Sequence, residues 1–371
     1  NQWAKEIRKQ FPNSLVFWKI SGKHQDDQFI LKRQRRRNKI PILLVTDHFL
    51  KDLVQKLGEE AGKTSLFIYD EVHHLGSFQN RQFYGDGSLN KLRKFGFRLG
   101  LSATPFSKFN PNRNRFLAET FSHTDLKHIN FQSPDLEKEL KEESILFTFG
   151  LEDAIKRGIL CEFDYVPLVY VPTKEELEEK RKEYQKWIGM PSDDPETDNE
   201  ALARIMASNV LKRARSKLPV FENLLKENPG LLENCIIFVH DTEFGRLVSN
   251  ILIKYSTNFK EYFSGEDSKV LAEFSEGKLK TLVACKMISE GIDIRAVKNI
   301  VLFSSDAQLL ETIQRMGRAL RFDPNNPNKR AKVVDFIYEE EYDPNGDYIP
   351  PDIARREWLS KLSKIRREND G

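Results

Sequence analysis

Short, uninterrupted apolar runs bounded by turn residues recur along the chain, and no other feature of the sequence restricts the fold as much. They fall at Ile42–Val45, Leu66–Tyr69, Arg98–Leu101, Ile236–Val239, Leu282–Cys285, Ile300–Phe303 and Val333–Ile337. A strand that is apolar at nearly every position has to be covered on both faces, as strands are in a parallel sheet sandwiched by helices. Helical periodicity fills the intervals. Leu50, Leu53, Val54 and Leu57 recur at i, i+3, i+4 and i+7, and Phe244, Leu247, Val248 and Ile251 follow the cap residue Asp241. The two patterns alternate in two blocks, which predicts an α/β chain of two units, and 371 residues suffice for two separate cores.

Between the blocks, from Gln132 to about Glu200, the chain is highly charged and helix-prone. Helices are expected at Leu151–Arg157 and Lys174–Lys186, with an acidic, proline-containing loop at Pro191–Glu200. The expected division is a first domain over 1–131, a linker over 132–161, a second domain over 162–345 and a C-terminal amphipathic helix within 346–371. Trp358, Leu362 and Ile365 share one face of that helix, which is too short for membrane binding and suits packing on the second domain.

Charge and cysteine usage narrow the class. Lys plus Arg number 59 against 56 Asp plus Glu, a net charge of +3, which excludes a histone-like or acidic-tail protein. Mean hydropathy is −0.56, and no apolar run approaches the roughly 18 residues of a spanning helix. Cys161, Cys235 and Cys285 lie far apart in apolar stretches without a C-x-x-C pair, as expected of buried thiols in a reducing, cytoplasmic or nuclear compartment. The opening Asn1-Gln2-Trp3, with neither initiating methionine nor signal peptide, is expected of a piece of a longer protein.

The sharpest chemical signal is the run from Leu66 to His74, an apolar strand ending in Asp70-Glu71. Ligands of open α/β folds bind at the carboxyl edge of the sheet. Asp70 placed there suits Mg2+ held through water, and Glu71 suits orienting and deprotonating a water for attack on a γ-phosphate. An exposed acidic turn is the competing reading of Asp-Glu taken alone. About thirty residues on, Gly100-Leu101-Ser102-Ala103-Thr104-Pro105 is again a strand followed by small hydroxyl residues. Over Leu309–Arg321, Leu309, Ile313, Met316 and Leu320 share one helical face, with Gln314, Arg318 and Arg321 opposite at i, i+4 and i+7. Guanidinium forks suit phosphoryl oxygens. Gly317 costs this helix about 1 kcal/mol relative to alanine, which points to close backbone approach.

Positive charge concentrates near the start. In Lys32–Lys39 six of eight residues are basic, and the first fifty residues carry 11 basic against 4 acidic side chains, enough to neutralise phosphates or to form a solvated loop. Trp18, Phe78 and Phe83 are candidates for stacking on bases, with core packing the plainer role.

Together these residues resemble a family. Asp70-Glu71-Val72-His73 resembles motif II of the superfamily 2 helicases and translocases, the DEAD/DEAH-like group. Ser102-Ala103-Thr104 resembles their motif III, Ser289-Glu290-Gly291-Ile292-Asp293 motif V, and Gln314 to Arg321 motif VI, in the family's order and spacing. Ile236–Asp241 looks like motif IV, Val45-Thr46-Asp47 stands in the place of motif Ib, and Gln2-Trp3 looks like the end of the segment after motif Ia. The resemblance covers roughly residues 1 to 340. It implies two RecA-like parallel-sheet domains in tandem, the first incomplete at its N-terminus, with ATP and Mg2+ between them and a nucleic acid strand across both. By the same match Glu71 is the general base and Asp70 the Mg2+ carboxylate. Arg318 and Arg321, with Gln314, are the trans-domain phosphate contacts. Gly291 and Asp293 meet the nucleotide, and Ser102 and Thr104 couple the domains. Arg33, Arg35, Arg36, Arg37 and Thr46 are the candidates for nucleic acid contact. Gln314 in place of histidine at the start of motif VI resembles repair- and restriction-type translocases, so DNA is the expected partner and RNA the second.

One departure stands against the match. The family's phosphate loop, G-x-x-x-x-G-K-[ST], has as its nearest counterpart Gly58-Glu59-Glu60-Ala61-Gly62-Lys63-Thr64, which has one residue too few between its glycines. It follows a helix and runs into a strand, the reverse of what a phosphate loop needs, and reads as a helix-to-strand turn. Three readings therefore stand. The first is an ATP-dependent DNA helicase or double-strand translocase, or less readily an RNA helicase. The others are a non-catalytic DNA-binding or regulatory module and a nucleotide-binding protein built on Gly62-Lys63-Thr64.

Overall fold

The computed structural model describes residues 2–34, 39–107, 110–190, 199–263, 269–285, 297–303, 317, 320–323, 326, 328–340 and 349–367. They form two units, Asn1–Phe147 and Thr148–Gly371. Each apolar run of the sequence is a strand, and the parallel α/β architecture expected for the chain is observed.

In the first unit β1 (Ser14–Ile20) lies parallel to β3 (Ile40–Val45), and the short β2 (Lys23–His24) folds back on the end of β1. β4 (Leu66–Asp70) and β5 (Phe97–Leu101) form a separate parallel pair, Leu66 opposite Phe97 through Asp70 opposite Leu101. Side chains alternate across that pair. Phe67 and Tyr69 enter a core with Leu50 and Val54 of the helix Asp47–Lys56, with Leu57 just after it, and with Leu92, Phe95 and Phe116. On the other face Leu66, Ile68, Phe97, Leu99 and Leu101 are 37 to 64% exposed. Two glycines let the turn before β4 pack backbone on backbone: a Cβ at Gly62 would sit 2.7 Å from the Lys94 carbonyl oxygen, and one at Gly96 1.9 Å from that of Lys63. The Gly58–Thr64 segment is a one-turn helix, Glu59–Lys63, leading straight into β4, with Lys63 paired to Glu60 at 3.0 Å.

The second unit holds a six-stranded sheet in the order β6 (Glu162–Val169), β11 (Arg330–Ile337), β10 (Asn299–Leu302), β7 (Cys235–Phe238), β9 (Thr281–Ala284) and β8 (Phe259–Tyr262), with every pairing parallel. Ile236, Leu282, Ile300 and Val333 fill the layer on one face and Ile237, Val283, Val301 and Val334 the layer on the other, which is why these strands carry unbroken apolar runs. The helix Thr242–Leu252 starts at Asp241, whose side chain accepts the Phe244 amide at 2.8 Å. The C-terminal helix Pro351–Leu362 packs Leu359 and Leu362, with Trp358 and Ile365 beside them, into the first layer. Buried Arg355 ties that helix to buried Asp335 of β11 at 2.8 Å.

The stretch 132–161, read from sequence as a linker, is divided between the units. Leu136 and Leu140 complete a small core with Leu126, Ile129 and Phe131 of the first, whereas Ala154, Ile155 and Leu160 belong to the core of the second. Its charge reflects the solvent faces of two docked helices. The helix Lys174–Ile188 runs slightly past the expected end and begins with a capping box between Thr173 and Glu176. Most of the expected acidic loop, 191–198, lies outside the described residues. Cys161 and Cys235 are buried free thiols and Cys285 is half-buried.

Candidate functional site

The carboxylates stand at the carboxyl end of β4. Asp70 is its last residue, exposed, and accepts the Glu71 amide on Oδ1 at 3.1 Å. Glu71 adopts φ 53 and ψ 53, the left-handed region, at the cap of a single 3-10 turn, Val72–His74. For a residue with a Cβ that conformation costs on the order of 1–3 kcal/mol, and such outliers concentrate at functional sites. It turns the chain sharply off the strand and sets Glu71 and His73 on one side. His73 Nδ1 lies 3.4 Å from Glu71 Oε2 and 3.0 Å from Ser102 Oγ, just past the end of β5. Ser102 Oγ in turn accepts the Thr104 amide at 3.3 Å. One imidazole thus joins the expected base to the first hydroxyl of the Ser-Ala-Thr segment. Burial first, and the neighbouring His74 and Arg113 next, push the His73 pKa down to about 4. The ring is therefore neutral at pH 7, so its 3.4 Å approach to Glu71 is a close contact and not an ion pair, and the hydrogen bond of Nδ1 goes to Ser102.

The surroundings hold this turn in place. Arg113 packs on Gly76, where a Cβ would come within 2.6 Å of the arginine Cγ, and burial together with Arg81 lowers the Arg113 pKa. Asn114 clamps the chain past the Ser-Ala-Thr segment, donating to the Ser107 carbonyl at 2.7 Å and accepting its amide at 2.8 Å.

Thr46 stands at the carboxyl end of β3 as the cap residue of the helix Asp47–Lys56, exposed, with no capping bond from its hydroxyl. Its amide is held by the Lys19 carbonyl at 3.2 Å. Beneath it Lys19, buried at the end of β1, bonds Asp26 at 2.5 Å and Asp52 at 2.6 Å. The two carboxylates outweigh desolvation and raise the lysine pKa. Tyr69 of β4 donates to Asp47 at 2.6 Å, linking this helix to the carboxylate strand. Arg33 falls within the helix Asp26–Gln34, while Arg35, Arg36 and Arg37 lie outside the described residues. Trp18 and Phe83 each carry a lysine over the ring, Lys23 at 5.4 Å and Lys91 at 4.4 Å.

In the second unit Gly291, Asp293, Gln314 and Arg318 lie outside the described residues. Arg321 is described, and it corrects the sequence reading. Gly317 is helical, but Leu320 is in a turn and Arg321 pairs with Leu160 as an antiparallel bridge, so the i, i+4, i+7 face does not extend to Arg321. The reason is the burial of Leu320, whose carbonyl is taken by the Cys161 amide at 2.7 Å and whose side chain fills the core. At Gly317 a Cβ would meet nothing within 4 Å among the described residues, and its neighbours 304–316, 318 and 319 lie outside them.

Sequence reasoning passed over His73 as a link, as well as Arg113, Asn114 and Lys19. The adjacent His73-His74 pair was the one visible signal. Asn114 and Lys19 act on Ser107 and Asp26, each seven residues away, and Arg113 on Gly76, pairings that no local pattern announces.

Comparisons with known proteins bear on the same residues. Residues 1–107 match the family described as type III restriction enzyme, res subunit. Residues 216–323 match the helicase conserved C-terminal domain. The DNA 3'-5' translocase XPB2 of Sulfurisphaera tokodaii is 23% identical over 300 residues, 75% of this chain and 60% of that protein. The ATP-dependent DNA helicase MPH1 of Candida albicans is 29% identical over 119 residues, 27% of this chain and 10% of its own length. The helicase domain of Pyrococcus furiosus Hef superposes over 97% of this chain and 86% of its own, at 17% identity and a TM-score of 0.49. The chain thus spans about half the length of the first relatives it matches. The restriction-subunit match takes in Asp70, Glu71, Ser102 and Thr104, and the helicase C-terminal match runs through Arg321. With the two in that order on one polypeptide, the chain belongs to the superfamily 2 helicases and translocases.

Proposed function

We propose that the protein couples ATP hydrolysis to movement along DNA, as a helicase or double-strand translocase. The observation that carries the reading is the convergence of Glu71, His73 and Ser102 beside Asp70 at the carboxyl end of two parallel strands. An exposed aspartate whose Oδ1 is turned by its neighbour's amide, next to a second carboxylate, is a hard-oxygen donor set that fits Mg2+ held through water. When bound, the ion neutralises charge on the β- and γ-phosphates. Glu71, beside a neutral imidazole, orients a water and accepts its proton. Ser102, tied to His73, reports on the position of Glu71 to the segment ending at Thr104. Arg318 and Arg321, with Gln314, contact the phosphates from the second unit, and Gly291 and Asp293 meet the nucleotide there. Thr46, Arg33, Arg35, Arg36 and Arg37 bind the DNA backbone.

The decisive variant is Glu71→Gln in the full-length protein, which keeps the shape of the turn and removes the proton acceptor. Nucleotide binding should persist while turnover in the presence of DNA is lost. Wild-type turnover in this variant would remove Glu71 from the chemistry.

A further inference from the structure

An arginine acting on a phosphate has a long, freely rotating side chain, so the precision of its guanidinium depends on how firmly its backbone is held. Arg321 is held from three directions by residues outside the family motifs. On one side the strand-like segment before β6 grips it: Arg321 bridges Leu160, the Cys161 amide donates to the Leu320 carbonyl at 2.7 Å, and the Phe322 amide donates to the Ile159 carbonyl at 3.1 Å. From a second side Lys329, only 6% exposed, donates its ammonium to the Arg321 carbonyl at 3.1 Å. From a third, the segment following the C-terminal helix reaches over Phe322. The guanidinium carbon of Arg367 sits 5.7 Å from the centre of that ring, and the same side chain abuts Gly158, where a Cβ would come within 2.5 Å of Nε. The Arg367 amide is anchored on Glu162 of β6 at 3.2 Å. A buried lysine directed at a backbone carbonyl is not explained by the packing of the sheet, since a buried ammonium costs desolvation unless the acceptor it finds is worth fixing.

We propose that Lys329 and Arg367 are positioning residues for Arg321, and that the segment following the C-terminal helix serves as a brace that sets the motif VI arginine. This rests on the phosphate-contacting role given to Arg321 above. Neither residue touches substrate. Loss of either lets the Arg321 backbone drift, and a misplacement of about 1 Å can lower turnover on the order of 100-fold.

The test is a double-mutant cycle on ATP turnover of the full-length protein with DNA. Lys329→Met keeps the length of the side chain and removes the donor. It should lower kcat about 10- to 100-fold with the KM for ATP little changed, and Lys329→Arg should restore turnover to within a few-fold. Combined with Arg321→Ala, Lys329→Met should cause no further loss, since its target is gone. Arg367→Ala, at an exposed position, should show the same pattern and serves where Lys329→Met fails to fold. An equal loss with and without Arg321 would make both residues merely structural and overturn the inference, as would wild-type kcat in Lys329→Met and Arg367→Ala. Wild-type turnover in Arg321→Ala itself would instead overturn the role of Arg321, and the inference with it.

Discussion

Acidification should destabilise the turn after β4 through one residue, His73. Its side chain is 16% exposed, and burial, followed by His74 and Arg113, moves its pKa from 6.5 to about 4. At about 1.4 kcal/mol per pKa unit that separation amounts to roughly 3 kcal/mol. Above pH 6.5 the imidazole is neutral folded and unfolded, and stability does not depend on it. As pH falls below 6.5 the unfolded chain binds a proton that the folded one refuses, so stability drops until about pH 4, where the folded form protonates as well. The chain carries seven histidines, and ring-labelled histidine NMR resolves their titrations, the His73 signal being the one absent from His73→Gln. Its midpoint should fall near 4. Urea unfolding of the first unit should lose roughly 2–3 kcal/mol more between pH 7 and 4.5 in the wild type than in His73→Gln. A midpoint near 6.5, or equal pH slopes in the two proteins, would refute the reasoning.

Other consequences can be measured directly. Replacing Arg35, Arg36 and Arg37 with glutamine should weaken DNA binding at every sequence and flatten the plot of log affinity against log salt by about 0.9 for each phosphate no longer neutralised, as read by fluorescence anisotropy; an unchanged slope would make the run a solvated loop. Lys63→Ala should leave ATP turnover unchanged, because Gly62-Lys63-Thr64 is a helix-to-strand turn with Lys63 paired to Glu60. Turnover abolished by Lys63→Ala in a folded protein would contradict this. The apolar outer face of β4 and β5 should bind a hydrophobic dye, and Phe97→Gln, at a position 64% exposed, should reduce the dye signal with no loss of thermal stability.

What could be read from the sequence was what depends on neighbours along the chain. Central strands of the second sheet announce themselves because both faces are buried, as Ile236-Ile237 in β7 and Val333-Val334 in β11 show. Its edge strands did not, because β6 carries Asp164 and Pro167 and β8 has the charged Lys260 and Glu261 at its centre, both tolerable where one side faces solvent. β1 was hidden by Lys19, a charge inside a strand that only Asp26 and Asp52 make tolerable. Asp70, Glu71 and Ser102 were legible because the end of a strand is a property of sequence. The His73 contact with Ser102 spans 29 residues and had no local sign. The helical reading of Arg321 failed for the same reason: Leu160, from a segment that reads as a linker, draws the chain out of the helix.

The central claim is that hydrolysis in this protein is driven by nucleic acid and proceeds through Glu71. It is tested most directly by steady-state ATP turnover of the full-length protein against increasing duplex DNA, with Glu71→Gln run in parallel. The account predicts turnover that climbs with DNA to a plateau and is absent from the variant at every concentration. Turnover indifferent to DNA, or surviving in Glu71→Gln, would contradict it.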